Sequence, residues 1–389
     1  MPGPSTAFDQ ALGRLAPSVI EETIRVTEIP APTFREGVRA EYARSRFEAI
    51  GGWDELAVDS ISNVVAVRRG APDRARLLVV AHLDTVFPDE ATPVTRSRGR
   101  LTGRGVGDNS LGVAALLGVA EAIQKHAPKG LGDLILATNV GEEGRGDLRG
   151  VKRLLKDYDG QFDAVIAVEG HALNRIQLHG VASLRYEISV GTDGGHSWGA
   201  YGRPNAIALL ARAITAIEPL MPEVGVEPRT TMNVGVIHGG RSVNTIAPDA
   251  TLELDIRSVD PHRVTSLLRS VRATMRDAVG EEGEMAFRRI GNRPGGTIEE
   301  EHPLVQAAVQ ARDGLDLPTP EFNAGSTDAN AALDLGYPAT CVGITTGGEP
   351  HTPREWISTA PIAQGVPYLG RTLVNAARLA REDVARRVD

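Results

Sequence analysis

The run Leu77-Leu78-Val79-Val80-Ala81 ends abruptly in His82-Leu83-Asp84. So short and continuous an apolar run predicts a strand buried on both faces, which needs a sheet covered by helices. Its last residues then deliver an imidazole and a carboxylate to the C-terminal edge of that sheet, where open α/β folds place their ligand sites. His82 is suited to hold a cation through neutral imidazole, and Asp84 to fix the other ring nitrogen. A histidine beside an acid is common, so this pair gains meaning only from what accompanies it.

The same pattern recurs along the chain. A strand over 133–138 leads into Asn139-Val140-Gly141-Glu142-Glu143-Gly144. Neighbouring side chains point opposite ways along extended chain, so one glutamate can bind a metal while the other faces the water. The alternative is a solvated acidic turn. A strand over 163–168 delivers Glu169. In Gly103-Arg104-Gly105-Val106-Gly107-Asp108-Asn109-Ser110 the glycines open backbone conformations closed to other residues. Asp108 stands where a helix over 110–125 begins and, taken alone, reads as an N-cap. His351 lies in Gly347-Gly348-Glu349-Pro350-His351-Thr352-Pro353, a Gly/Pro loop with no helical reason to hold it. Of the nine histidines, His126, His179, His238, His262 and His302 read as surface or packing residues, and His171 fits either role. Taken together, His82, Asp108, Glu143, Glu169 and His351 offer two zinc ions one imidazole and one carboxylate each, with one aspartate shared. Metals about 3.5–4 Å apart clamp a water and polarise a carbonyl.

The order of elements divides the chain. At 389 residues it is too long for one ordinary core. Helices over 8–27 and 36–50 and strands over 63–67 and 76–81 open a βαβ rhythm that continues through a helix over 148–158. From 183 the rhythm changes to strand 183–190, helix 204–217, strands 231–237 and 250–258, helix 261–278 and strand 284–290. That β-α-β-β-α-β order is the split, ferredoxin-like arrangement. After Arg293-Pro294-Gly295-Gly296 the αβ pattern returns and ends in a helix over 362–381. The expected fold is an open, mostly parallel α/β sheet covered by helices, formed by 1–180 and 292–389, with an α+β domain inserted over 181–291.

Composition narrows the function. A net charge of −8 argues against a general nucleic-acid binder, which needs a basic surface. The first ten residues lack the pattern of a secretory signal, and the apolar runs are short for a membrane span, so a cytoplasmic protein is expected. The one cysteine, Cys341, forbids an intrachain disulfide and a thiolate zinc site, and its apolar setting marks a buried hydrophobe.

His82-Leu83-Asp84, Gly105-Val106-Gly107-Asp108-Asn109, Glu142-Glu143-Gly144, Glu169, Gly194-Gly195-His196-Ser197 and His351 together resemble the zinc exopeptidase and deacylase family of glutamate carboxypeptidase, acetylornithine deacetylase, succinyl-diaminopimelate desuccinylase and peptidase T. The resemblance covers nearly the whole chain, inserted domain included. It implies two Zn²⁺ per chain, with Co²⁺ or Mn²⁺ as possible substitutes. Asp108 would bridge them through a cis Asp108–Asn109 peptide; His82 and Glu169 would complete one ion, Glu143 and His351 the other. It makes Glu142 the general base and later the acid, with Asp84 behind His82. The inserted domain becomes a lid and dimerisation domain whose His196 stabilises the oxyanion, often across a homodimer. Gly170 departs from the proline that several relatives carry after the glutamate, which puts the shape of that loop in question.

Glutamate at 169 resembles carboxypeptidases and deacylases, where aminopeptidases tend to have aspartate. The substrate expected is therefore a small peptide or N-acyl amino acid, cleaved to release an amino acid with a free carboxylate. Arg293 matches the arginine that grips this carboxylate, a job suited to a two-pronged guanidinium. Arg257 and Asn244 match substrate-facing lid positions, or else make a strand salt bridge and a turn. Thr327 and Asp328 read either as support behind the active site or as a helix N-cap, with the cap favoured. Two alternatives stand beside this reading: an aminopeptidase of the tripeptidase kind, and an inactive binding protein on the same fold.

Overall fold

The computed structural model describes residues 7–88 and 90–385. They form two compact units, one of residues up to Gly180 and from Thr297 onward, the other Val181–Gly296. Each has its own apolar core.

In the first unit the strands Glu55–Val58, Val64–Arg68, Leu134–Asn139, Leu77–His82, Ala164–Glu169, Ala339–Gly343 and Arg175–Gly180 lie side by side in that order. The four from Leu134–Asn139 to Ala339–Gly343 run parallel. Every residue of Leu77–His82 and of Leu134–Asn139 is buried, as continuous apolar runs require when helices cover both faces. Val19 and Val26 of helix Ala16–Thr27, Leu116 of Gly112–His126, and Leu369 and Leu373 of Ile362–Arg378 join the strands in one core. The stretch Val106–His126 is long and apolar enough to cross a membrane, but most of it is buried inside this unit, which accounts for its composition.

Register sets the functional edge. His82 pairs with Asn139, and Gly343 with Glu169, so the strands end level with one another. The segments that leave them therefore meet in the crevice outside their carboxyl ends.

The second unit orders its strands Thr230–Gly239, Asp249–Ser258, Ala182–Gly191 and Glu284–Arg293, all antiparallel. Along Asp249–Ser258 burial alternates residue by residue, so one face is covered and the other is not. Helices Ala206–Ile217 and Pro261–Val279 supply Leu210, Val271 and Met275 to the core, against Ile188 and Leu252 of the sheet. Asn205 and Asp260 cap the two helices, accepting from Ile207 N–H and Ala208 N–H, and from His262 N–H.

The structure departs from the sequence expectation in several places. The first helix is two, Ala7–Leu12 and Ala16–Thr27: the chain turns at Gly13, and Pro17 starts the second helix. The last helix stops at Arg378, because Leu379 leaves it to accept from Ala75 N–H, and Arg381–Val384 is separate. The inserted unit extends past 291, because its last strand runs unbroken to Arg293. A small sheet of Thr95–Ser97, Arg100–Thr102, Trp356–Ser358 and Gly347–Gly348 is an addition. Its Gly/Pro-rich hairpin reads as loop, since cross-chain pairing and not local pattern makes it a strand pair.

Candidate active site

The ligand candidates converge at the carboxyl ends of the parallel strands. His82 Nε2 lies 3.1 Å from Asp108 Oδ1 and 3.7 Å from Glu169 Oε1. His351 Nε2 lies 3.1 Å from Asp108 Oδ2 and 3.1 Å from Glu143 Oε1. The Asp108 carboxylate thus turns one oxygen to each histidine. Two donor groups result, His82–Asp108–Glu169 and Asp108–Glu143–His351, each with donor atoms within 4.8 Å of one another. Glu142 belongs to neither. The Asp108–Asn109 peptide is cis.

Charge in this cluster asks for a cation. Burial pushes the Glu169 carboxyl up to about 7, with His82 opposing the shift and Asp108 and Asp328 adding to it. For His82 burial alone would favour the neutral ring, yet Glu169, Asp108 and Asp84 outweigh it and hold the pKa well above the usual range. Hydrogen bonds to Asp108 and Glu143 hold His351 up at about 10. Burial would raise the Asp108 carboxyl, but His351 and His82 carry it well below the usual carboxylate range. The carboxylates of the cluster thus favour positive charge on both histidines. Nitrogen and carboxylate oxygen donors without sulfur fit zinc and its borderline neighbours, and Cys341 lies buried within its strand.

Asp84 differs in detail from the role expected of it. His82 Nδ1 lies 3.1 Å from the Asp84 backbone oxygen but 3.6 Å from Oδ1, too long for a hydrogen bond. The fully buried carboxylate instead accepts from Glu142 N–H and Glu143 N–H at 2.9 Å each, and from the Thr33 hydroxyl. It fixes the turn that presents both glutamates.

Gly170 has a structural reason. Its N–H donates to Asn109 Oδ1 at 3.0 Å, and a Cβ there would lie 2.1 Å from the Gly107 carbonyl oxygen. Proline has no N–H to give and brings that Cβ, so this packing excludes it. Asp328 makes no side-chain cap bond; its Oδ2 accepts from Asn139 Nδ2 at 2.8 Å beneath the site. Thr327 Oγ1 accepts from Ala329 N–H and donates to Gln177.

Sequence reasoning missed two residues. The buried guanidinium of Arg39 donates to the carbonyls of Ile29 and of Leu83, the residue between His82 and Asp84. Glu355, fully buried, accepts from Gly105 N–H at 3.1 Å and from Gly107 N–H and Asp108 N–H at 2.8 Å each. His171 Nε2 is 3.1 Å from the same carboxylate. Arg39 lies 44 residues from Leu83 and Glu355 247 from Asp108; an acid four residues after His351 was the available signal.

The remaining predicted residues lie in the inserted unit. His196 pairs with Thr245 in a short two-stranded ladder, and its Nδ1 accepts from Trp198 N–H at 3.2 Å. That bond leaves the proton of the neutral ring on Nε2. Asn244 sits in the adjoining turn, where its oxygens accept from the Ser242 hydroxyl and Ser197 N–H. Arg257 is bound to Asp255 on its own strand at 2.6 Å, the salt-bridge alternative. Arg293 is buried at the end of strand Glu284–Arg293.

An open α/β sheet with paired His–carboxylate groups at its strand ends, carrying an inserted βαββαβ unit, defines a hydrolase fold of the metal-dependent kind. Residues 78–375 match the family model for peptidase family M20/M25/M40, and the chain belongs to that family. It is similar to acetylornithine deacetylase of Myxococcus xanthus, 27% identical over 86% of this chain and 91% of that one. It is also similar to a putative succinyl-diaminopimelate desuccinylase of Mycobacterium tuberculosis, 25% identical over 91% of this chain and 97% of that one. Among solved structures, a tripeptidase from Staphylococcus aureus has a TM-score of 0.79 at 20% identity, covering 94% of this chain and 99% of its own.

The electrostatics predict a pH signature. The raised pKa of His351 stabilises the metal-free fold below 6.5, and that contribution is lost as pH rises towards 10. Glu169 acts with the same sign between 4.5 and about 7, since ionising it in place is costly. The chelated protein should therefore lose Tm as pH rises through the range from 6.5 to 10, and zinc should abolish the fall. Because the metal displaces the protons on these groups, adding zinc to weakly buffered chelated protein should acidify it. Differential scanning fluorimetry and a pH electrode check both.

Proposed function

We propose that this hydrolase is a two-zinc amidase that cleaves a peptide or N-acyl amide bond and releases an amino acid with a free carboxylate. The observation that carries the reading is the Asp108 carboxylate, with one oxygen on each of two His–carboxylate groups. His82, Asp108 and Glu169 would hold one ion, and Asp108, Glu143 and His351 the other. When bound, the pair would polarise the scissile carbonyl and make water a competent nucleophile at neutral pH.

Glu142 is the base in this reading. It stands outside both donor groups, its side chain is nearly buried, and Asp84 pins its backbone. It takes a proton from the attacking water and returns it to the departing amine nitrogen. His196 suits the oxyanion because its Nδ1 already accepts from the backbone, so Nε2–H is free to donate. Arg293 holds the substrate carboxylate and so orients the amide. Arg257, engaged with Asp255, and Asn244 are further candidates for substrate contact.

A homodimer through the inserted unit belongs to the same reading. Thr230–Gly239 is an edge strand of its sheet and exposes Val236 and Ile237, an uncovered template for a second copy. Sedimentation should give a dimer, and Ile237→Lys should shift it to monomer. A wild type that sediments as a monomer with full activity removes this element.

Glu142→Ala should lower kcat by at least about 10²–10⁴-fold while both metals stay bound. If zinc is lost instead, Glu142 is a ligand and not the base. The substrate is tested by N-acyl amino acids and short peptides against the same compounds with an amidated C-terminus. The free acids should be much the better substrates, and Arg293→Ala should bring the two rates together by slowing the acid. Arg293→Lys should recover part of the loss, since an ammonium lacks the two-pronged geometry. Equal rates on acid and amide in the wild type, with a need for a free N-terminal amine, would make the chain an aminopeptidase.

A further inference from the structure

Glu355 is buried beside the donor groups yet belongs to neither, and the chemistry above makes no use of it. Its carboxylate is filled by the loop that carries Asp108. Oε1 accepts from Gly107 N–H and Asp108 N–H, Oε2 accepts from Gly105 N–H, and His171 Nε2 approaches Oε1 from the other side. Gly105 has a φ of 70°. That left-handed turn helps bring nearby amide groups onto one anion. The Glu355 carbonyl also accepts from Gly103 N–H at 3.0 Å. One residue therefore secures the loop from Gly103 to Asp108 by both main chain and side chain.

The slot around His171 is equally specific. A Cβ on Gly107 would lie 2.2 Å from Nε2 of the ring, and a Cβ on Gly347 2.5 Å from Nδ1. These glycines are open to the imidazole, and one comes from each loop that Glu355 joins. Gly347 begins the hairpin Gly347–Gly348 to Trp356–Ser358, which carries His351 near its tip and Glu355 at its return. Trp356 next pairs with Thr102, just before the Asp108 loop.

We propose that Glu355, seated by His171, is a positioning residue that holds the Asp108 loop and the His351 hairpin in one register. It thereby governs the cation site that Asp108 and His351 share with Glu143. The other site leans on it less. His82 and Glu169 are carried by the central strands themselves, and only Asp108 comes from the Glu355-bound loop. Losing Glu355 should thus weaken one site selectively. This inference rests on the two-metal reading above.

Wild-type protein and variants are dialysed against a graded chelator, and zinc per chain is counted by elemental analysis, with affinities from competition against a zinc dye. Wild type should hold two. Glu355→Gln keeps the size of the side chain but sets an amide NH₂ against one of the backbone N–H groups. It should lose about 10–100-fold in affinity at one site, the range for residues that orient metal ligands, and fall to one zinc under chelation that leaves wild type full. Glu355→Ala should do so more severely, and His171→Ala in the same direction, with His171→Gln recovering part of the loss by restoring an N–H donor. In a His351→Ala background, which has already lost that site, Glu355→Gln should change the remaining affinity little. Two zincs held at wild-type affinity by Glu355→Gln would overturn the proposal. So would equal weakening of both sites, or a fall in metal-free Tm with zinc affinity unchanged. A wild type that binds fewer than two zincs would instead overturn the two-metal reading, and this proposal with it.

Discussion

One carboxylate, that of Asp108, faces two imidazoles, and the site's architecture follows from the need to hold it there. The carboxylates around Asp108 raise the pKa values of both histidines, and burial raises that of Glu169. Such a concentration of buried carboxylates is a poor choice for stability, since ionised groups taken out of water lose several kcal/mol of solvation each. The fold tolerates it because the surrounding groups are arranged to accept cations and to prevent relaxation. Asp84 grips the Glu142–Glu143 turn, Asn109 ties its own loop to the end of strand Ala164–Glu169, and Glu355 grips the segment before Asp108. Most of these restraints are backbone N–H groups donating to buried oxygens, interactions that leave little freedom in where the ligands point.

Sheet topology determines which of the candidate ligands can be rigid. His82 and Glu169 end buried parallel strands and are each still paired to a neighbouring strand, His82 with Asn139 and Glu169 with Gly343. His351 has no such support: its side chain is 53% exposed and it stands at a φ of 62° in a hairpin. A positive φ at a residue other than glycine is sparsely populated and persists where the surroundings determine it. Here the surroundings are the pairing of Trp356–Ser358 with Arg100–Thr102 and the contacts of Glu355. The site thus joins a rigid half built on the sheet to a half built on two loops that brace each other.

This division also explains what could be read from the sequence. Ligands at strand ends announce themselves, because an apolar run followed at once by histidine or glutamate breaks pattern in a way that packing does not require. His82 and Glu169 stood out as candidates for that reason, the pair Glu142-Glu143 offered a ligand without saying which, and all of them gained weight only beside Asp108 and His351. The ferredoxin-like order of the insert was legible from periodicity, down to the alternation along Asp249–Ser258. Glu355, Arg39 and the true partner of Asp328 were not. Arg39 reaches Leu83 44 residues away, Asp328 reaches Asn139 189 away and Glu355 reaches Asp108 247 away, and no local period encodes such distances. Of the two readings of Thr327-Asp328, the cap describes Thr327, which accepts from Ala329 N–H, while Asp328 takes the non-local partner Asn139.

Gly170 carries the argument a step further. Read alone it is a departure, a glycine where proline would stiffen the loop. In the structure its amide proton, its missing Cβ and the carbonyl of Gly107 form one contact between the loop after Glu169 and the loop before Asp108. Gly107 in turn leaves room for His171, and His171 reaches Glu355. Gly170, Gly107, His171 and Glu355 are thus one packing solution, a tight approach of two loops that the glycines permit and that a half-buried histidine and a buried glutamate hold together.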